Sequence, residues 1–336
     1  MLDFHHPWEL AGALQVSARH LLDVLERADD YYEELTLLDP NRPDKRRRVV
    51  NPRGELRRLQ ARFYERVLTS TLRRSQCSHG GVPRRSILTN VRPHLGQSFV
   101  FTTDVSDFFP SIHQQRVLDL FRRLGCSPEV AALCTRLCTY RHCLAQGLVT
   151  SPILADHLMR VVDRRIEGIR YKHRLVYTRF MDDLAISGPF DLARSGIPNL
   201  VRRILRQNGF DVNQDKDRFG TIAKGATITG IRFPNGHPDV RRTYFEEVVR
   251  QVRDATSLGC GLPFDGPYYT QAQITGRVRF ICWVNSGRRR ALLPLLGRVD
   301  WQRVRAEAQK RGLEVVTKRL VRLEKTVTGQ GVTTER

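Results

Sequence analysis

Acid is what this chain is short of. Against 56 Lys and Arg it has 35 Asp and Glu, a formal net charge of +21 over 336 residues. Long apolar runs are missing too, since nothing approaches the ~20 consecutive apolar residues that cross a bilayer. The opening segment, Met1 to Leu10, carries Asp3, His5, His6 and Glu9, so no secretory leader is expected there. Seven cysteines, an odd number scattered along the chain, do not suit a disulfide framework and point to a reducing, cytoplasmic setting. Low-complexity tracts and internal repeats are absent. At 40% hydrophobic residues the composition is compatible with folding and argues against a disordered chain. A partner rich in phosphate, and no membrane, is the expectation.

The basic residues are spread out. Arg42, Lys45, Arg46, Arg47 and Arg48 form one cluster, followed by Arg53, Arg57 and Arg58. Others lie at Arg84 and Arg85, at Arg277 and Arg279, and at Arg288, Arg289 and Arg290. Recurrence through the whole chain suits a long groove on a nucleic-acid backbone better than a localisation signal. For any single cluster the alternative is a solvated basic face.

Helical spacing runs from Leu10 to Leu25, and again through Leu56, Leu59, Phe63, Val67 and Leu68. Between them Asn41-Arg42-Pro43-Asp44 reads as a turn before a short strand at Val49 and Val50. Phe99-Val100-Phe101-Thr102-Thr103 is a β-prone run ending on Asp104. Ser111 and Gln114 have the spacing of a capping box for a helix running through Val117, Leu120, Phe121 and Leu124 and stopping at Gly125. Leu175 to Ser187 reads as a hairpin with Asp182 and Asp183 at its tip. A second hairpin is predicted around Pro234-Asn235-Gly236, from the Asn-Gly turn signal. Phe245, Val248, Val249 and Val252 then open a mostly helical region, with loop points at Pro238 and Gly259–Gly266, and Thr328 to Arg336 reads as an unstructured tail.

Asp104 at a strand end and Asp182-Asp183 on a hairpin tip are the residues that carry chemistry. Nucleotidyl transfer on two metals needs carboxylates from separate strand ends, holding Mg²⁺ ions roughly 3.5–4 Å apart. Mg²⁺ takes few protein carboxylates and completes its octahedron with water and phosphate. Neighbouring strand residues face opposite ways, so Asp104 and Asp182 are expected as principal ligands and Asp183 as the weaker one. A lone Asp-Asp is usually a solvated turn, but here β-prone runs flank it on both sides.

In this order the motifs resemble those of reverse transcriptases, specifically the bacterial retron-type branch, from about Arg47 into the C-terminal region. Arg47-x-Val49-x-x-Pro52 with Leu56 to Gln60, and His79-Gly80-Gly81 with Arg85-Ser86-Ile87, look like the two fingers motifs. Asp104 to Ile112 is similar to the first catalytic motif, and Gln146 to Pro152 to QGxxxSP. Phe180-Met181-Asp182-Asp183 is similar to YxDD, with Phe for the usual Tyr. Asn208-Gly209-Phe210 with Asn213 and Lys216 looks like the motif after it. Asn90 to His94 resembles the retron NAxxH region, with Val91 for Ala. Ile228-Thr229-Gly230 resembles VTG, with Ile for Val, and Gly276-x-Val278-x-Phe280-Ile281 resembles the thumb motif.

The resemblance implies an α+β right-hand polymerase fold, with fingers, a palm built on an antiparallel sheet, and a helical thumb. The expected divisions are 1–98 for N-terminal helices and fingers, 99–235 for palm with interleaved fingers elements, and 236–336 for thumb and tail. It implies RNA-directed DNA synthesis with two Mg²⁺ ions, Mn²⁺ being a substitute, held by Asp104, Val105, Asp182 and Asp183. Arg47, Arg85, Phe109, Gln146 and Gly147 fall where the family binds the incoming dNTP. A guanidinium can fork two phosphate oxygens, and Phe109 stands at the position that excludes a ribose 2′-hydroxyl. A core aromatic is the alternative for Phe109, although Phe108 fits the core better. Lys216 stands where a general acid would protonate pyrophosphate, the alternative being a solvated lysine.

RNA contacts are expected at Asn90, His94, Ile228, Thr229, Gly230, Arg277, Arg288, Arg289 and Arg290. The implied partners are a cognate non-coding RNA that serves as template and primer, its DNA product branched from that RNA, and an effector protein in anti-phage defence. The rivals are another defence-associated reverse transcriptase with different priming, and a non-catalytic RNA-binding protein on a polymerase scaffold. Cys134, Cys138 and Cys143 with His142 lack paired CxxC knuckles and read as buried thiols rather than a zinc site. Trp283 reads as thumb core, with stacking on nucleic acid as the alternative.

Overall fold

The computed structural model describes residues 2–39, 42–212, 214–317 and 319–322. Its centre is an antiparallel sheet of four strands in the order β4-β5-β3-β6. These are β3 (Phe99–Asp104), β4 (Val176–Phe180), β5 (Asp183–Gly188) and β6 (Arg218–Thr221). Alternation along β3 explains why its run is so apolar. Phe101 points into one hydrophobic core with Tyr177 and Ile186, and Val100 points into the other with Ala185.

The first core lies between the sheet and the helices Pro7–Leu14, Ala18–Glu26, Gly54–Phe63, Gln114–Arg123, Pro128–Cys138, Ser151–His173 and Ile197–Gln207. The second gathers the C-terminal helices Arg242–Gly259, Gln271–Val284, Arg289–Gly297 and Trp301–Lys310 against Leu88, Val91, Val100 and Ala185. An α+β architecture results, with helices flanking the sheet and a helical C-terminal part.

A hairpin of β1 (Tyr32–Asp39) and β2 (Arg42–Pro52) stands away from that sheet. A third strand, β9 (Arg319–Arg322), pairs antiparallel with β1 across Leu35–Leu38. A small hairpin of β7 (Ile231–Arg232) and β8 (Asp239–Val240) precedes the C-terminal helices.

Several local expectations needed correction. The predicted turn at 41–44 is too late, because β2 already begins at Arg42, and β1 had no signal beyond Leu35, Leu37 and Leu38. The single helical stretch from Leu10 to Leu25 is two helices, broken at Gln15, whose φ is +56°. Ser111 caps no helix. Its hydroxyl donates to the Phe108 carbonyl, and the helix starts at Gln114 behind His113. Turn residues 106–113 had mimicked a cap by spacing alone. The Pro234–Gly236 segment is a 3₁₀ turn, so the β7–β8 connection is longer than an Asn-Gly hairpin. Trp283 is not core but half exposed, beside Phe280. The expected tail from Thr328 lies outside the described residues.

Candidate active site

Register places the acids. In the β3–β5 ladder Asp104 stands directly opposite Asp183, and in the β4–β5 ladder Phe180 pairs with Asp183. Met181 and Asp182 therefore form the whole turn. Met181 takes φ +60°, a left-handed conformation that a side-chain-bearing residue adopts only when its surroundings hold it there. The Asp182 carbonyl accepts from Val105 N–H at 3.1 Å, tying the turn to the end of β3. Val105 itself is buried, its side chain in the core.

The carboxylates of Asp104 and Asp182 thus meet, while Asp183 is exposed at the head of β5. Burial first, and then the neighbouring Asp104 charge, raises the Asp182 pKa above the ordinary carboxylate range. Oδ1 of Asp104 is buried with no hydrogen-bond partner, and Oδ2 is paired with Lys216. Two facing carboxylates, one with an orphaned oxygen, fit a divalent cation, which would relieve the repulsion and fill the missing contact. Among the described residues no three His, Cys, Asp or Glu side chains are gathered round one point. In this arrangement the Lys216 ammonium sits on Asp104.

The segment after the Ile197–Gln207 helix closes the other side. Ser106 N–H donates to the Asp211 carbonyl at 2.9 Å, and Val105 bridges to Val212. Phe210 is fully buried against Phe108, with the Arg116 guanidinium 4.4 Å from its ring centre. Phe210, Asp211 and Val212 therefore anchor the first motif, while Asn208 and Gly209 close the end of the preceding helix through bonds to Leu205 and Arg206. Asn213 lies outside the described residues.

Two glycine positions are dictated by close approach. A Cβ on Gly80 would lie 2.5 Å from both Cγ and N of Met181, so His79-Gly80-Gly81 is moulded on the catalytic turn. Gly147 has φ +112° and no room for a Cβ against the Val50 carbonyl, while Val50 N–H donates to the Gln146 carbonyl at 2.8 Å. Gln146 and Gly147 thereby dock β2 onto the body of the protein. Arg47, exposed on β2, stands three residues from that dock, roughly 10 Å along the strand. Phe108 is buried in the core, and Phe109 is half-buried and packs against that core beside it.

Arg85 is differently occupied. Its guanidinium donates to the carbonyls of Ser75, Gln76 and Ser78, and so shapes the 75–78 loop rather than pointing free.

The expected RNA contacts divide into exposed and structural residues. His94 is fully buried, with Nδ1 2.6 Å from Ser187 Oγ and Nε2 2.8 Å from Thr178 Oγ1. Burial, with His79 nearby, holds its pKa down to about 3, so it is a neutral tie beneath the sheet and not an RNA contact. Asn90 and Ile228 are buried as well, and Asn90 donates to Thr229 Oγ1 at 3.4 Å. The two retron-like motifs therefore touch each other, with Asn90, His94 and Ile228 turned inside the fold. Arg288 is bound to Asp239 at 2.6 Å and covers the Phe245 ring, and Arg277 is tied to Gln251 and stacked on Tyr269. Arg289 and Arg290 are exposed, and Gly230 is half-buried.

One cluster escaped the sequence reading. Arg179, on β4 one residue before Phe180, is fully buried between Asp156 and Asp163 of helix Ser151–His173. A signal existed. Two acids seven residues apart fall on one helix face, and that face also carries Ile153, Met159 and Ile166.

Comparison with known proteins agrees with this geometry. The family model described as reverse transcriptase (RNA-dependent DNA polymerase) matches residues 40–254, well over half of the chain. The retron Ec86 reverse transcriptase of Escherichia coli is 27% identical over 293 residues, covering 87% of this chain and 88% of that protein. The retron Mx65 enzyme of Myxococcus xanthus is 33% identical over 247 residues, 66% of this chain and 57% of that one. The retron Mx162 enzyme of the same organism is 29% identical, over 64% of this chain and 50% of the other. The fold is that of a right-hand polymerase, and an RNA template and divalent metal ions belong to its activity. With its acids meeting at the ends of β3 and the β4–β5 turn, the chain belongs to the reverse transcriptase family, as an RNA-directed DNA polymerase of the bacterial retron type.

Proposed function

We propose that this enzyme copies a cognate structured non-coding RNA, primes synthesis from an internal 2′-hydroxyl of that RNA, and leaves the DNA branched from it. The carrying observation is the meeting of Asp104 and Asp182, with Asp104 Oδ1 buried and unpartnered. Two Mg²⁺ ions, with Mn²⁺ as substitute, would be held by Asp104, Asp182, Asp183 and Val105, and would activate the attacking hydroxyl and neutralise charge on the phosphates. Lys216, in contact with Asp104, is the proton donor for the pyrophosphate leaving group. Phe109, Gln146, Gly147 and Arg47 line the dNTP, and Arg85 serves by holding the loop beside the catalytic turn. Exposed Arg289 and Arg290 contact RNA phosphates. The reaction takes place in the cytoplasm and supports anti-phage defence through an effector protein. Support for the retron part of this reading is the likeness to three retron enzymes over half or more of each.

Two measurements test it. Asp104→Asn and Asp182→Asn should each lower DNA synthesis by several orders of magnitude while RNA binding survives. Activity within about tenfold of wild type in both would end the metal assignment. Expressed with its native locus, the enzyme should yield DNA whose 5′ end stays joined to RNA until a debranching enzyme releases it. Recovery of linear DNA alone removes the branched product and leaves the polymerase.

A further inference from the structure

The turn that carries Asp182 is left-handed at Met181 and is only one residue longer than the acid it presents. Something must hold it. Behind it lies the cluster that the sequence reading missed. Nε of Arg179 donates to Asp163 Oδ1 at 3.0 Å, and Nη2 donates to Asp163 Oδ2 and to Asp156 Oδ1, each at 2.8 Å. Nη1 donates to the carbonyl of Met181 at 3.0 Å. Tyr177 completes the set with a hydroxyl 2.8 Å from Asp163 Oδ1, and Arg74 approaches Asp156 at 3.9 Å. Burial opposes the charge on Arg179, but the two carboxylates outweigh it and hold the guanidinium protonated.

The backbone of the same residue is held from the other side. Arg179 N–H donates to the Cys77 carbonyl at 2.8 Å, and its carbonyl accepts from His79 N–H at 2.7 Å. His79 leads into Gly80, which lies against Met181. One residue thus joins the long helix, the 75–81 loop and the catalytic turn.

We propose that Arg179 is a positioning residue for catalysis: clamped by Asp163 and Asp156, its guanidinium grips the Met181 carbonyl and sets where the Asp182 carboxylate meets Asp104. The inference rests on the reading of Asp104 and Asp182 as metal ligands. Its physical basis is the planar fork. A guanidinium can hold two carboxylates and a carbonyl in one rigid arrangement, whereas an ammonium of equal charge lacks the reach and the directionality. A buried ion pair often adds little to stability, so a role in specifying one geometry is the better account of keeping it. No atom of Arg179 touches substrate in this assignment. It acts through the peptide between Met181 and Asp182.

The test is Arg179→Lys in the full chain, with Tyr177→Phe as the milder variant should the first fail to fold. Three quantities are read. Mn²⁺ binding in the presence of template-primer is followed by electron paramagnetic resonance. Hydrogen exchange is measured for peptides covering 178–184 and 151–173. Primer extension gives kcat and the KM for dNTP. For Arg179→Lys, Mn²⁺ affinity should fall about tenfold and kcat about a hundredfold, the scale expected for a reacting group displaced by ~1 Å. The KM for dNTP should stay within threefold, and 178–184 should exchange faster while 151–173 keeps its protection. Tyr177→Phe should move the same quantities in the same direction by about threefold.

Wild-type Mn²⁺ affinity and exchange in a folded Arg179→Lys protein overturns the proposal. So does a Tyr177→Phe protein indistinguishable from wild type, if the lysine variant does not fold. Loss of protection across both segments together would mark Arg179 as a general stabiliser and also overturn it. Asp182→Asn in parallel separates the two ideas. If it keeps Mn²⁺ affinity, the metal reading has failed. If it loses Mn²⁺ while Arg179→Lys does not, only the positioning role has failed.

Discussion

Gly80→Ala isolates the fit between the 79–81 loop and the catalytic turn. The added Cβ would stand 2.5 Å from Met181 Cγ and 2.5 Å from Met181 N. Carbon contacts settle near 3.5 Å, so the two segments must separate by about 1 Å. The Cγ contact can yield by a change of rotamer. The nitrogen cannot, because it belongs to the turn whose next residue is Asp182. Overpacking of this kind costs about 1–3 kcal/mol, a melting shift of a few degrees. A ~1 Å displacement of a reacting group costs about a hundredfold in rate. The expected result is therefore a folded protein, slightly less stable, with single-turnover extension slowed about a hundredfold and template binding unchanged. Gly12→Ala is the control, since a Cβ there meets nothing within 4 Å and helix Pro7–Leu14 lies elsewhere. An extension rate within threefold of wild type for Gly80→Ala would refute the reasoning, because the turn would then tolerate a shift that the geometry forbids.

Asp182→Asn should make the metal-free protein more stable at neutral pH while removing synthesis. The sign follows from a folded-state pKa raised by burial and by Asp104: the ionised form destabilises the fold, and the penalty grows as pH rises above the unfolded value near 3.8. The gain, read as a thermal midpoint, should vanish as pH falls below that value, and its absence at pH 7 would contradict the assigned proximity. Phe109→Ala should raise ribonucleotide use relative to deoxyribonucleotide, measured as a ratio of kcat/KM values, and an unchanged ratio makes Phe109 a packing residue. Changing Arg289 and Arg290 together to Ala should weaken RNA binding and lower the salt slope by about 1–2, with extension of a saturating pre-annealed primer intact. Arg288 is left out of that variant because it holds Asp239. An unaltered salt slope would place the RNA elsewhere.

The amino-acid sequence alone determined those parts of the protein whose chemistry is local. Asp104 at a strand end, the Asp182-Asp183 hairpin tip and the periodic helices were legible because alternation, turn residues and acid spacing are written within a few positions of one another. The ordered motifs did the rest for the family. Tertiary structure decided which polar groups are accessible and which are buried. His94 and Asn90 sit in a motif that reads as a recognition element, yet they lie inside, since only packing shows that Ser187 and Thr178 take both ring nitrogens of His94. Arg288 looks like its two neighbours until Asp239, 49 residues away, claims it. The buried clamp on the catalytic turn needed three segments, 74–81, 151–173 and 176–181, to come together. An arginine in a β-prone run and two acids on the apolar face of a helix are separate oddities along the chain. They become one charge-balanced unit only when folding removes the water that would otherwise solvate each of them.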